Sequence, residues 1–304
     1  MSPLFDAYII VDWSAASRPV TGTNSIWIGT LYRDATDTRS YLADNPSTRR
    51  DARDRLLATA TDLVARGARV LIGCDFAMGY PTGTADALGL DTQTMPPWQA
   101  MQAYLSTHIH DAANNANDRF QVAATLNAKM TGTAHPFWGT PTAQTTATLS
   151  PRKGDFSVPD SLAEHRLAEA WIKTQFKAHP KSVWQLLGAG AVGSQSLLGL
   201  PLVSHLRAHL PGARIWPFET GLANLTPDHL KDTRCVIAEV YPSIVRITPK
   251  AGEILDQAQV RILSNHLESL DSAGKLGAAF NAPDSTSDRE KHRIIHEEGW
   301  ILAK

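Results

Sequence analysis

Four acidic residues stand at or beside the ends of short apolar runs. Asp12 closes Ala7-Tyr-Ile-Ile-Val-Asp12 and Asp75 closes Val70-Leu-Ile-Gly-Cys-Asp75. Glu239 lies in Ile237-Ala-Glu-Val-Tyr-Pro242, and Glu219 follows Arg214-Ile-Trp-Pro-Phe218. An ionised carboxylate among apolar neighbours is costly unless a cation, a donor or a proton compensates it, so several such groups converging suit a divalent metal. Hard oxygen donors select Mg²⁺ or Mn²⁺. Ions held this way activate a water and stabilise a leaving oxygen in phosphoryl transfer. Any one strand-end Asp also serves as a cap for the turn after its strand, and that is the plainer role for a single residue. The recurrence favours chemistry. For Glu239 the plainer role is an ion pair with Arg234 or Arg246.

Gly188-Ala-Gly190-Ala-Val-Gly193 matches G-x-G-x-x-G between an expected strand, 182–187, and an expected helix, 194–210. In a dinucleotide fold such glycines allow a tight turn and close approach of pyrophosphate to the helix N-terminus, with a later acid such as Glu219 on the ribose. That fingerprint normally opens its domain, whereas at least four elements precede it here, and Pro201 is expected to cut the helix after about two turns. A phosphate cradle serving the carboxylate site unites the two signals better.

Lys129, His135, Phe137, Trp138, Arg152 and Lys153 mix cations with aromatics, a combination that holds a nucleotide or a single strand by stacking and charge, or that forms a lid with Trp138 packed inward. His108 and His110 face apart on a helix. His292 and His296 share a helical face without the order of a zinc protease. Ser14 and Ser17 lack a nucleophile-elbow setting and read as hydrogen-bonding residues, Ser14 being placed to touch a phosphate.

The elements that must position these groups follow from the pattern of apolar residues. Strands are expected over 7–12, 25–32, 39–43 and 70–75, with a helix capped by Thr48 and stopped by Gly67 between the third and fourth. The order is β-β-β-α-β. From about 85 to 180 the composition shifts to Ala, Thr, Asn, Gly and Pro, which reads as an insertion with helices over 97–117 and 161–177 and an irregular loop or lid over 129–154. Alternating order then resumes, with strands at 213–218 and 236–241, helices at 255–270 and 271–282, and an edge strand at 299–302. A single α/β domain over 1–304 carrying this insertion is expected.

The 304 residues are 43% hydrophobic and 19% charged, enough to bury a large core. Lys and Arg total 29 against 30 Asp and Glu, which excludes a nonspecific nucleic-acid coat protein and points to a small or structured substrate. No apolar run is long enough to span a bilayer, and Met1 to Asp12 is unlike a signal peptide, so a cytoplasmic chain with no membrane partner is expected. Cys74 and Cys235 sit in separate apolar runs and read as buried thiols. Oligomeric state is open.

Several short motifs resemble an uncharacterised bacterial domain family described as ribonuclease H-like nucleases. They are Val11-Asp-Trp-Ser14, Gly73-Cys-Asp-Phe-Ala-Met-Gly-Tyr-Pro81, Pro136-Phe-Trp-Gly139, Trp216-Pro-Phe-Glu219, Glu239-Val-Tyr-Pro242 and Glu298-Gly-Trp-Ile-Leu302, and they span nearly the whole chain. The resemblance implies a ribonuclease H-like mixed sheet and a metal-dependent phosphodiester hydrolase, with Asp12, Asp75 and Glu239 as catalytic ligands; Glu219, beside its own apolar run, is the candidate fourth acid. Gly188, Gly190 and Gly193 would cradle phosphate. A nucleotide or a short, structured nucleic acid is the implied partner. Relatives tend to bring another Asp on a late helix, where this chain has Gly274 and Lys275, so either Asp271 substitutes or the metal site is incomplete and the nuclease reading weakens. Two other classes stand beside this reading. One is a nucleotide- or dinucleotide-binding enzyme of cofactor metabolism, since some relatives carry the label of molybdopterin guanine dinucleotide synthesis. The other is a noncatalytic ligand-binding protein on the same fold.

Overall fold

The β-branched run Ala7–Asp12 forms β1, and the apolar stretches that follow form β2 (Trp27–Arg33) and β3 (Arg39–Asp44). The Thr48 hydroxyl accepts the Asp51 N–H and opens α1 (Arg49–Ala65), which ends before Gly67 at φ 88°. The chain continues as β4 (Val70–Cys74), α2 (Thr84–Ala87), α3 (Pro97–His108), α4 (Arg119–Met130), α5 (Leu167–Phe176) and α6 (Gly193–His209). It then runs through β5 (Ala213–Ile215), β6 (Cys235–Glu239), α7 (Leu255–Ser272) and α8 (Asp288–Arg293), and one π-helical turn, Ile294–Glu298, extends the last helix. This computed structural model describes residues 3–33, 38–158 and 162–303.

The strands form one mixed sheet in the order β3-β2-β1-β4-β6-β5. β1 is antiparallel to β2 and parallel to β4; β6 lies parallel between β4 and β5. Alternation along the strands sends Ile9, Val11, Ile72 and Ile237 to one face and Tyr8, Ile10, Leu71 and Val236 to the other. The first face packs against α1, α3, α4 and α6. The second is covered by α7 through Val260, Leu263 and Leu267. Fully burying one such aliphatic side chain contributes about 1.5–3 kcal/mol, so both layers hold the sheet firmly.

Residues 85–180 do not stand apart from this core: Trp98, Leu105, Phe120, Leu126 and Phe137 share one apolar cluster with Ile9 and Ile72. The long helix expected over 97–117 ends at His108, Asn115 takes a left-handed turn at φ 69°, and α4 follows. The helix expected from 161 begins at Leu167; Ser161 lies outside the described residues.

Four further expectations are corrected. Residues 182–187 make no strand, because Val183, Trp184 and Leu186 bury themselves among the insertion's aromatics and Gln185 makes only an isolated bridge to Trp138. Pro201 does not cut α6, whose Leu197, Leu200, Val203 and Leu206 are all fully buried, so packing outweighs the lost hydrogen bond. Residues 299–302 supply a single parallel bridge, Ile301 to Glu239, and 276–280 form a 3₁₀ segment.

Candidate active site

β1, β4 and β6 are parallel neighbours, so their C-terminal ends meet at one edge of the sheet, where open α/β sheets place ligands. Asp12 ends β1 and Asp75 follows β4. Their carboxyl groups lie within hydrogen-bonding reach of each other, and the Trp13 N–H donates to Asp75 Oδ1 at 2.8 Å. Burial pushes the Asp12 carboxyl far above the ordinary value of 3.8, and the charges of Asp75 and Asp256 push it further. Burial also raises Asp75, against the lowering effect of the Trp13 N–H and the Asp12 hydrogen bond. Two carboxylates at this separation cannot both ionise without compensation. The pair therefore holds a proton at neutral pH, with Asp12 donating to Asp75.

The pleat separates Glu239 from that pair. Val11 is opposite Cys74 and Cys74 is opposite Glu239, so these three point to one face, while Asp12 and Asp75, one residue further along, share the other face with Val240. Glu239 is instead gripped by Arg166, a guanidinium only 1% exposed. Arg166 Nη1 and Nη2 donate to Glu239 at 2.8 and 2.6 Å, Nε and Nη2 donate to Glu169, and Nη1 also reaches the Glu298 carbonyl at 2.9 Å. The Met78 N–H donates to Glu239 as well. Burial raises the Glu239 carboxyl, and Arg166 pulls it back. The ion pair is thus with Arg166, not with Arg234 or Arg246; neither Arg166 nor its role was apparent in the sequence, since its partner lies 73 residues away.

Glu219 folds back on the turn that follows β5, accepting from the Ile215 N–H and from Arg207 Nε and Nη2 at 2.9, 2.9 and 2.7 Å, away from the strand-end cleft. Asp271 also has a structural task. Its carboxylate accepts the Leu4 and Phe5 N–H groups and the Tyr8 hydroxyl, and so pins the segment leading into β1. The acid that α7 does bring near the pair is Asp256, in its first turn, which accepts the Asn24 N–H at 2.7 Å and adds negative potential at both Asp12 and Asp75. Asp256 and Asp271 sit at opposite ends of the helix, roughly 22 Å apart at 1.5 Å per residue. An acid in a first helical turn is what the helix dipole favours, and that ordinary role masked Asp256 in the sequence.

A cleft of about 280 Å³ opens at these strand ends, lined by Asp75, Arg166, Glu239, Lys181, Gly190 and Gln195 among others. Of the three loop glycines, Gly190 reaches this cleft at φ 70°, and Gly188 turns the chain before it at φ 116°. Gly193 has a packing role: a Cβ there would stand 2.4 Å from the Val183 carbonyl oxygen. With no strand leading into it, the turn lacks the βα setting of a dinucleotide fingerprint. Nor do the insertion's aromatics form an exposed stacking platform. Phe137 and Trp138 are buried, and Asn127 staples them by accepting the Phe137 N–H and donating to its carbonyl. Lys153 pairs with Glu164. Cys74 and Cys235 are buried free thiols, as expected. Among the described residues no group of three or more His, Cys, Asp and Glu side chains is arranged to hold a metal, and none of their helices is long and apolar enough to cross a membrane. No protein-family model, curated protein or solved structure matches the chain.

Proposed function

We propose that this protein is a metal-dependent hydrolase of phosphodiester bonds on a ribonuclease H-like sheet. The observation that carries the reading is the Asp12–Asp75 pair, two apposed carboxyl groups at the ends of adjacent central strands, with no cation paired to either among the described residues. The order of β3-β2-β1-β4, antiparallel then parallel, agrees with the sheet expected from the motifs. A proton now does what a Mg²⁺ or Mn²⁺ would do better, and the donor set is all oxygen, which fits such an ion. Asp12 and Asp75 would hold it, with Asp256 adding attraction from α7. Glu239 does not fit as a ligand, because Arg166 already neutralises it and the pleat turns it to the other face.

When bound, the ion would supply Lewis-acid activation of water and stabilisation of a leaving oxygen. The chain's own contribution is positional. The Trp13 N–H fixes the rotamer of Asp75, Gln195 Nε2 holds the Trp13 carbonyl at 2.5 Å, and the Arg166 network fixes Glu239 and the loop after Asp75. Gly190 and Lys181 also line the cleft, where the backbone and one ammonium group can orient a phosphate.

The test is hydrolysis of bis(p-nitrophenyl) phosphate and short oligonucleotides with Mn²⁺, Mg²⁺ or EDTA. Activity that needs the ion and falls at least about a hundredfold in Asp12→Asn and Asp75→Asn supports the proposal. Metal-independent turnover, or turnover unchanged in both variants, overturns it.

A further inference from the structure

A second pocket, of about 390 Å³, lies on the other face of the sheet between α1, the end of α3 and the middle of α6. Its floor is Trp13, the neighbour of Asp12 along the chain, and one wall is apolar, formed by Leu198, Pro201 and Leu202. The first turns of α1 bring three arginines to the pocket, Arg49, Arg50 and Arg53, against one lining carboxylate, Asp111, while His205 stands on the α6 face beside the apolar residues, where burial and Arg53 hold its imidazole toward the neutral form. This volume falls within the range of small-molecule sites.

The charges here do not balance. Arg49 is 2% exposed and binds both oxygens of Asp111, at 2.7 and 2.6 Å, together with the carbonyls of Ser14, Ala16 and Asn115. Behind it Arg119, 8% exposed, donates only to neutral groups: Ser194 Oγ, Ser17 Oγ and Asn117 Oδ1. Two buried guanidiniums therefore share one carboxylate, and burial and then Arg49 push Arg119 down to about 10. At the rim, Arg53 spends two of its nitrogens on Asp54, and the Arg50 side chain has no ion pair or hydrogen bond among the described residues. The Trp13 indole N–H, on a residue only 2% exposed, has no acceptor. An uncompensated cluster of cations beside a cavity is stabilised by an anion that enters it.

We propose that this pocket is an anion subsite that takes a phosphate group through Arg50 and Arg53. Planar guanidinium groups match phosphate oxygens in pairs, and the apolar wall of α6 accepts the body that carries the phosphate. The phosphate belongs either to a small phosphorylated molecule or to the backbone of a nucleic-acid strand crossing from the Asp12–Asp75 cleft. The subsite needs no metal, so it stands whether or not the hydrolase reading does.

Calorimetric titration of inorganic pyrophosphate into the full chain in EDTA reads the subsite, because no ion can then bridge the ligand to Asp12 and Asp75. Binding by the unaltered protein is expected, weakened at least about tenfold in Arg50→Ala/Arg53→Ala, one exposed and one half-buried position on α1 whose truncation leaves the fold intact. Asp12→Asn is expected to bind like the unaltered protein. No binding by the unaltered protein at about 10 mM, equal binding by the double variant, or loss of binding in Asp12→Asn overturns the proposal. A short thymidine oligonucleotide titrated into the same proteins separates the two sources. A parallel loss of affinity assigns the subsite to a strand's backbone, and unaltered oligonucleotide affinity beside lost pyrophosphate binding assigns it to a small phosphorylated molecule.

Discussion

Asp12 and Asp75 hold in the folded chain a proton that the unfolded chain releases near the ordinary carboxyl value of 3.8. Above that value the folded state binds more protons than the unfolded one, so this pair makes stability fall as pH rises toward and past neutrality. In Asp12→Asn the amide keeps a donor toward Asp75 and removes the charge conflict. In EDTA the variant is therefore expected to melt about 2–4 °C above the unaltered protein at pH 8, with the advantage vanishing near pH 4. Scanning calorimetry across pH checks this, and a constant difference at all pH values would contradict it. Both residues were legible as strand-end acids because a carboxylate closing an apolar run is conspicuous. Glu239 was equally conspicuous, yet its meaning depended on register, which local sequence does not encode: a shift of one residue along β6 moves its side chain from the Asp75 row to the Cys74 row.

The turns between elements separate glycines by what surrounds them. Gly193 begins α6 under the Val183 and Gln185 carbonyls, with a Cβ position 2.4 and 2.6 Å from them, so Gly193→Ala must move backbone. A loss of about 1–3 kcal/mol is expected in urea denaturation. Gly190 has only the Lys181 side chain nearby, at 3.8 Å, and its φ of 70° is the only obstacle to Ala, so Gly190→Ala should cost about 1–2 kcal/mol at most. A smaller loss in Gly193→Ala than in Gly190→Ala would contradict the assignment of packing to one glycine and cleft lining to the other. The G-x-G-x-x-G spacing was plain in the sequence, but the spacing is shared by turns with and without a strand before them. The element that decides between them, residues 182–187, has the composition of a strand and the environment of a core loop.

At the scale of the molecule, Arg166 ties together parts far apart in the chain: α5 through Glu169, β6 through Glu239, and the π-helical turn through the Glu298 carbonyl. Glu297 and Glu298 in turn hold the N–H groups of Gly83, Ala85 and Thr82, so the loop after Asp75 hangs on the same network. Arg166→Met leaves Glu169 and Glu239 buried without their cation, and a loss of about 3–5 kcal/mol is expected. Far-UV dichroism and tryptophan fluorescence should fall together, since the insertion's aromatics share the sheet's core. A separate early transition in either probe would contradict that coupling. The opening β-β-β-α-β order, the cap at Thr48 and the helix at 255–270 were readable along the chain because apolar periodicity and capping act between near neighbours. Which acid meets which, that Arg166 rather than a nearby arginine neutralises Glu239, that Asp256 and not Asp271 approaches Asp12, and that Pro201 stays inside a helix were decided by tertiary packing. Those outcomes depend on strand register and on contacts between residues tens to hundreds of positions apart, and local spacing carries no record of either.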